Sequence, residues 1–214
     1  MKRVLAAGLL LAALGAASPA EPQVFGQYTS AATTPMNGHV FGAYLSASNN
    51  VVAGLAQLRL SFYPDVDFGF SGGLTRLDRG SLGSNLTTLR LGTDLRWQVI
   101  HRSASSPVDL TVGGALGVET GDNFKVVTVG PNAVVSRPLG GGDNGPIVPY
   151  AGLGLFFINR DALGIQDTDL SVPLRLGLEA RVATEFRIVA ELQLYVSDRY
   201  NDDVGFATGV NLPF

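Results

Sequence analysis

Leu170-Ser171-Val172-Pro173-Leu174-Arg175-Leu176-Gly177-Leu178-Glu179-Ala180-Arg181-Val182 decides how this chain is read. Every even position is apolar, and Ser171, Arg175, Gly177, Glu179 and Arg181 stand between them. The pattern returns over Phe186–Val196. Phe186, Ile188, Ala190, Leu192, Leu194 and Val196 alternate there with Arg187, Glu191, Gln193, Tyr195 and Ser197, among others. A period of two is the signature of a β-strand whose two faces meet different surroundings. In a water-soluble protein the apolar face would be the core. In a membrane barrel it would face lipid, with the charged face lining the lumen.

The same alternation runs upstream. Thr87, Leu89, Leu91, Leu95, Trp97 and Val99 oppose Arg90, Gly92, Asp94, Arg96 and Gln98. Val108, Leu110, Val112, Leu116 and Val118 oppose Asp109, Thr111, Gly113, Ala115, Gly117 and Glu119. Val66, Phe68, Phe70 and Leu74 oppose Asp67, Gly69, Ser71, Gly73 and Thr75, and Leu58, Leu60 and Phe62 oppose Gln57, Arg59 and Ser61. The polar faces are rich in Gly, Ala, Ser and Thr and nearly lack Lys. A solvated sheet face carries more Lys and Glu. Only 15% of the chain is charged and mean hydropathy is +0.23, against about 25% charged in a soluble domain. The composition favours lipid outside; a soluble, lipocalin-like carrier is the competing reading.

The N-terminus supports that choice. Lys2 and Arg3 precede an apolar run, Val4–Ala17, and Ser18-Pro19-Ala20 offers small residues for cleavage. Residues 1–20 read as a secretory signal peptide. Without Lys2 and Arg3, the 15 basic residues become 13 against 18 acidic, a net charge of −5. Lys125 is then the only Lys, which argues against nucleic acid as a partner. There is no Cys, hence no disulfide and no lipoprotein anchor. No later run is long enough for a transmembrane helix, so a membrane location requires a closed barrel.

Ten candidate strands follow: 38–47, 51–63, 65–76, 86–100, 107–119, 123–137, 147–160, 170–182, 185–198 and 203–214. The fold class is all-β, an antiparallel up-and-down transmembrane barrel of about ten strands, with eight as the alternative. Asn49-Asn50, Pro64-Asp65 and Thr120–Asn123 carry turn chemistry. A longer polar loop is expected at 78–85, a medium one at 101–106, a flexible Gly-rich stretch at 140–146 and another loop at 161–169, while 199–202 closes the last hairpin. Pro131 and Asn132 predict a bulge, an edge or two shorter strands in the sixth strand. Residues 21–37 are a short strand or a tail, and 38–214 the barrel. Keeping Val182 and Phe186 on one face requires a three-residue link, Ala183–Glu185. That register sets Glu179 diagonal to Arg187 and Glu191, and Arg175 opposite Gln193. A lumenal charged network of Arg59, Arg90, Asp94, Arg96, Asp109, Glu119, Arg175, Glu179, Arg181, Arg187 and Glu191 is expected, since buried charges must be paired or hydrated.

With its cleavable leader, its dyad strands and a last strand with Phe206, Val210, Leu212 and Phe214 on one face, the chain resembles the small outer-membrane β-barrel proteins of Gram-negative bacteria, the OmpA-, OmpX- and OmpW-like class. The resemblance covers residues 38–214. It implies that the terminal pattern is the signal read by the barrel-assembly machinery, that the partners are outer-membrane lipid and lipopolysaccharide, and that the location is the cell outer membrane. A peptidoglycan-binding domain is not expected. Tyr44, Phe62, Tyr63, Trp97, Tyr150, Phe156 and Phe157 would suit interfacial girdles.

Candidate chemistry is sparse. His39 and His101 are the only histidines, and neither stands at a recognised spacing from Ser46, Ser48, Ser103, Ser105 or Ser106. Asp65/Asp67, Asp167/Asp169 and Asp202/Asp203 could contribute to Ca²⁺ sites, but none shows a full calcium-loop spacing. Gly140–Gly142 lacks the Lys-Ser/Thr and the helix of a phosphate loop. The expected function is a non-enzymatic barrel without cofactor or metal, monomeric and without nucleic acid. It would be structural or a narrow passive channel with a charged, hydrated lumen. Adhesion through loops 78–85 and 161–169, and a lipid-modifying enzyme using His39 or His101, are the alternatives.

Overall fold

The computed structural model describes residues 27–49, 51–77, 85–140, 146–162, 165–197 and 203–214; the leader lies outside them. The strands are β1 His39–Ser48, β2 Val51–Tyr63, β3 Val66–Leu77, β4 Leu86–Ile100, β5 Asp109–Gly121, β6 Phe124–Ser136, β7 Ile147–Gly154, β8 Phe156–Ala162, β9 Ile165–Ala183, β10 Phe186–Ser197 and β11 Asp203–Pro213. All neighbours are antiparallel. β11 pairs with both β10 and β1, so the sheet closes on itself and leaves no open edge. β7 and β8 both lie between β6 and β9. They are two halves of one stave, and the barrel has ten staves.

The faces run inside out relative to a soluble protein. On β4, Leu89, Leu91, Leu95 and Trp97 are 45–57% exposed, whereas Arg90 and Arg96 are at most 1% exposed. On β9, Leu176, Leu178 and Val182 look outward while Glu179 is fully buried. A soluble carrier needs the apolar faces inside, and that reading fails on these exposures. An outward apolar band is what a hydrocarbon solvent requires, and closing the ring pairs the strands' backbone groups with one another.

Turns follow the sequence chemistry where it was clear. Pro64-Asp65 joins β2 to β3, with Asp65 left-handed (φ 63°) after a proline that presets the first turn angle. Asp122-Asn123 joins β5 to β6 with Asn123 also left-handed (φ 54°). The link between β9 and β10 differs in detail. It is a two-residue turn closed by Ala183↔Phe186, and a register shift before Arg187 absorbs the extra residue. Val182 and Phe186 thereby stay on the outer face, and beyond the shift Gln193 faces Arg175.

Of the girdle candidates, Tyr44, Tyr150 and Phe156 lie inside the barrel and are 3–5% exposed, so they form no interfacial band. Two further expectations require correction. The interruption at Pro131 falls on the neighbouring stave, not on β6, which runs unbroken through Asn132. Asn132↔Gly154 and Val129↔Phe157 keep one register, so Leu155 stands opposite Pro131. Leu155 donates its N–H to the Pro131 carbonyl at 3.0 Å, but proline has no N–H to return. On the other side the register sets Pro173 against Gly154. Two prolines flank the same point, and the stave loses its ladder there without slipping. The second correction is at 161–169. Here β8 and β9 continue as a hairpin to Ala162 and Ile165, which leaves no broad loop. Loop 78–85 lies outside the described residues except for Asn85.

Candidate functional site

The interior is the site. It is lined by the polar faces of the staves and entered by the segment before β1. Residues 27–34 are not a strand; they lie within the ring. Gln27, Tyr28, Ser30 and Ala31 are at most 3% exposed. The Ala31 amide donates to Ser136 (3.1 Å), the Thr33 amide to Gln98 (3.0 Å) and the Thr34 amide to Asp67 (3.0 Å). The Ser30 carbonyl accepts from Arg96 (2.9 Å), the Ala31 carbonyl from the Thr111 hydroxyl and the Tyr28 carbonyl from Asn211 (3.0 Å). Backbone groups that a strand would satisfy in a ladder are satisfied here by lumenal side chains. The Tyr28 ring stacks on Tyr44, centroids 4.3 Å apart, and the Tyr44 hydroxyl reaches Asn211.

One ion network holds this segment. Arg59 bridges Asp67 and Asp94, and Arg96 forms a fork onto Asp67 at 2.6 and 2.9 Å. Gln27 reaches Asp94 at 3.2 Å. All four charged residues are at most 8% exposed. Two guanidiniums meet two carboxylates, which is the condition for burying charge without a large penalty. The wall makes room by omitting a side chain: a Cβ at Gly69 would overlap both Asp94 and Arg59. Beside it, Arg90 binds Glu119 at 2.8 Å, and Thr88 also donates to Glu119.

The opposite wall is looser. Glu179 accepts from both Arg181 and Arg187 at 3.4 Å through the same oxygen, Oε1. Glu191 accepts from the Tyr150 hydroxyl (2.8 Å) and from Gln193 (2.6 Å). Tyr150 lies across Gly177, where a Cβ would strike its ring. Arg175 packs over Gly152. Asp109 sits near the end that carries both termini of the barrel, accepting from Gln98 (3.0 Å) and from the Arg102 amide (2.8 Å).

The structure thus divides the eleven charged residues into a β2–β5 cluster and a β9–β10 cluster. Sequence reasoning left Asp67 out of the network, although its strand parity put it inward; it is the hub. Gln27, Gln98 and Asn211 were also missed as partners, and for Gln98 parity again was the available signal. Phe206 and Phe214 are 52% and 72% exposed on the outer face of β11, with Val210 and Leu212 partly exposed between them. Phe214 stacks on His39, which sits at the start of β1.

The remaining candidates do not converge. His101 pairs with the exposed Asp65 at 2.7 Å. Asp65 and Asp67 therefore have separate partners and form no cation site. Among the described residues no group of three or more metal-ligating side chains comes together.

No protein family matches the sequence, and no curated protein is similar to it. Solved structures are. The translocator domain of the autotransporter NalP from Neisseria meningitidis is 11% identical over 82% of this chain and 87% of that one, with a TM-score of 0.50. The fold is that of an outer-membrane β-barrel. The N-terminal β-barrel domain of Pseudomonas aeruginosa OprF is 13% identical over 84% and 98%, with a TM-score of 0.36. A loop-deletion form of OmpT from Vibrio cholerae is 10% identical over 83% of this chain, with a TM-score of 0.40; the match spans 62% of that protein's length.

Proposed function

We propose that this chain is a monomeric, integral outer-membrane barrel whose lumen is closed by its own N-terminal segment, so that its primary role is structural and not that of an open pore. The observation that carries this reading is the binding of Ser30, Ala31, Thr33 and Thr34 backbone groups by Arg96, Ser136, Gln98, Asp67 and Thr111, side chains from β3 to β6. A narrow passive channel exists in this reading only when the segment leaves. The exposed apolar band supports contact with outer-membrane lipid and lipopolysaccharide. The outward Phe206, Val210, Leu212 and Phe214 support recognition by the assembly machinery. A non-enzymatic role is favoured because His39 stacks on Phe214 and His101 pairs with Asp65.

Planar-bilayer recording tests the reading. The wild-type barrel should stay at baseline conductance, and a variant lacking residues 21–35 should open discrete channels. Steady conductance from the wild type would overturn closure. Sedimentation with the outer membrane, together with a heat-dependent gel shift, tests the location.

A further inference from the structure

The wall that holds the N-terminal segment is organised without it. Arg96, Gln98 and Asn211 are each clamped at one end by another wall residue and offer the other end to the segment. Arg96 is fixed by its fork on Asp67, and it also donates to the carbonyls of Ser30 at 2.9 Å and Ala32 at 3.4 Å. Gln98 donates its amide N–H to Asp109 at 3.0 Å, which leaves its oxygen to accept from the Thr33 amide at 3.0 Å. Asn211 accepts from the Tyr44 hydroxyl, which leaves its Nδ2 to donate to the Tyr28 carbonyl at 3.0 Å. Clamping of this kind lowers the ordering cost of binding.

These contacts read main chain. Ala31 is wholly buried, giving its N–H to Ser136 and its carbonyl to the Thr111 hydroxyl. Ser30, Ala31 and Ala32 are all small, and the Tyr28 ring on Tyr44 is the large anchor beside them. Room to leave is also present. A cavity of about 510 Å³ lies beside the segment, lined by Thr29, Ala32 and Thr33 and by Arg181 and Arg187 of β9 and β10. The link to β1 is exposed at Pro35, Met36 and Asn37.

We propose that this wall is a peptide-binding site and that residues 27–34 are its exchangeable occupant. Its ligand is a non-helical peptide of another chain, with an aromatic residue two positions ahead of three small ones, as in Tyr28-Thr29-Ser30-Ala31-Ala32. Main-chain hydrogen bonds supply the affinity and the narrow fit at Ala31 supplies the selection. The inference rests on the reading of the segment as a lumenal plug, but its test reads occupancy and not conductance, so the two fail separately.

A protease site inserted after Met36 allows the full-length barrel to be folded and then cut, with the heat-dependent gel shift checking that the ring survives. The cut barrel should take up a fluorescent peptide of residues 27–36 with a saturable rise in anisotropy. The uncut barrel should bind it at least tenfold more weakly, because its own segment competes at high effective concentration. Ala31→Trp in the peptide should weaken binding at least tenfold by bulk. N-methylation of the Ala31 amide should do the same by removing the N–H given to Ser136. No saturable rise in the cut barrel, equal uptake by the uncut one, or equal affinity of the N-methylated peptide overturns the site. A second measurement needs no cleavage. In the uncut chain the amides of Ala31, Thr33 and Thr34 should exchange with deuterium faster than the ladder amides of β4 and β5. Equal protection would mean that the segment never leaves, and would overturn the exchange.

Discussion

Arg59, Asp67, Asp94 and Arg96 on one wall of the barrel, and Glu179, Arg181 and Arg187 on the other, are built from the same residue types to different ends. The first set is balanced, two cations to two anions, and almost wholly dry. Its contacts are short, and each carboxylate also takes a donor from the N-terminal segment. In the second set both guanidiniums reach one Glu179 oxygen at 3.4 Å and keep partial exposure, with Glu185 beside them at a cavity. Burial with balanced charge fixes a structure. Long, partly wetted contacts at the edge of a cavity hold less firmly. The inner face of one sheet therefore carries a tight charged cluster in one place and a looser one in another.

The largest expected effect comes from breaking the balanced set. Asp67→Asn keeps the shape but leaves Arg96 without a carboxylate and removes half of the partners of Arg59. Loss of one member of a buried ion cluster costs about 3–5 kcal/mol, read as a lowered urea midpoint for the barrel folded into lipid vesicles. Asp65→Asn, two residues away, alters only an exposed pair with His101 and should cost no more than about 1 kcal/mol. Similar costs for the two would mean that the buried cluster is not what holds the N-terminal segment.

Next is the outer face of the same wall. Leu91 is 55% exposed between the inward Arg90 and Gly92. Leu91→Arg puts a charge into hydrocarbon and should destabilise the vesicle-folded barrel by about 2–4 kcal/mol. In a micelle, where the face is easily wetted, the penalty should shrink. An equal loss in both environments would mean that Leu91 packs against protein and not lipid.

The contrast between faces was legible in the sequence because it is local. A strand's alternation is carried by residues two apart, so Arg90, Asp94 and Arg96 declared their side without any knowledge of neighbours. The pairing of Gln193 with Arg175 was legible too, since a short link leaves few registers that keep Val182 and Phe186 together. What was not legible is non-local. Nothing in Gln27–Thr34 alternates, and its hydrogen-bond partners lie 33 to 183 residues away, so no local pattern distinguishes a tail from a lumenal segment. The break at Leu155 is hidden for the same reason. Leu155 is an ordinary strand residue, and the cause lies in Pro131 and Pro173 on the staves beside it. Asp67 was legible by parity, but its role as hub depends on Arg59 and Arg96 from the staves on either side and on Thr34 from the lumenal segment.

The smallest effect separates the two walls by sign. In a double-mutant cycle, Arg96→Gln with Asp67→Asn should show an attractive coupling. Arg181→Gln with Arg187→Gln should show a repulsive one, because the residues face each other across the ladder and share a single carboxylate oxygen. Partial exposure keeps the second coupling below about 1 kcal/mol. It should also fade as salt is raised, since the screening length is about 8 Å at physiological ionic strength and about 3 Å at 1 M. The Arg96–Asp67 coupling, buried from counterions, should persist. A cycle that gives Arg181 and Arg187 an attractive coupling would mean that Glu179 alone satisfies both, and the two walls would then be the same device.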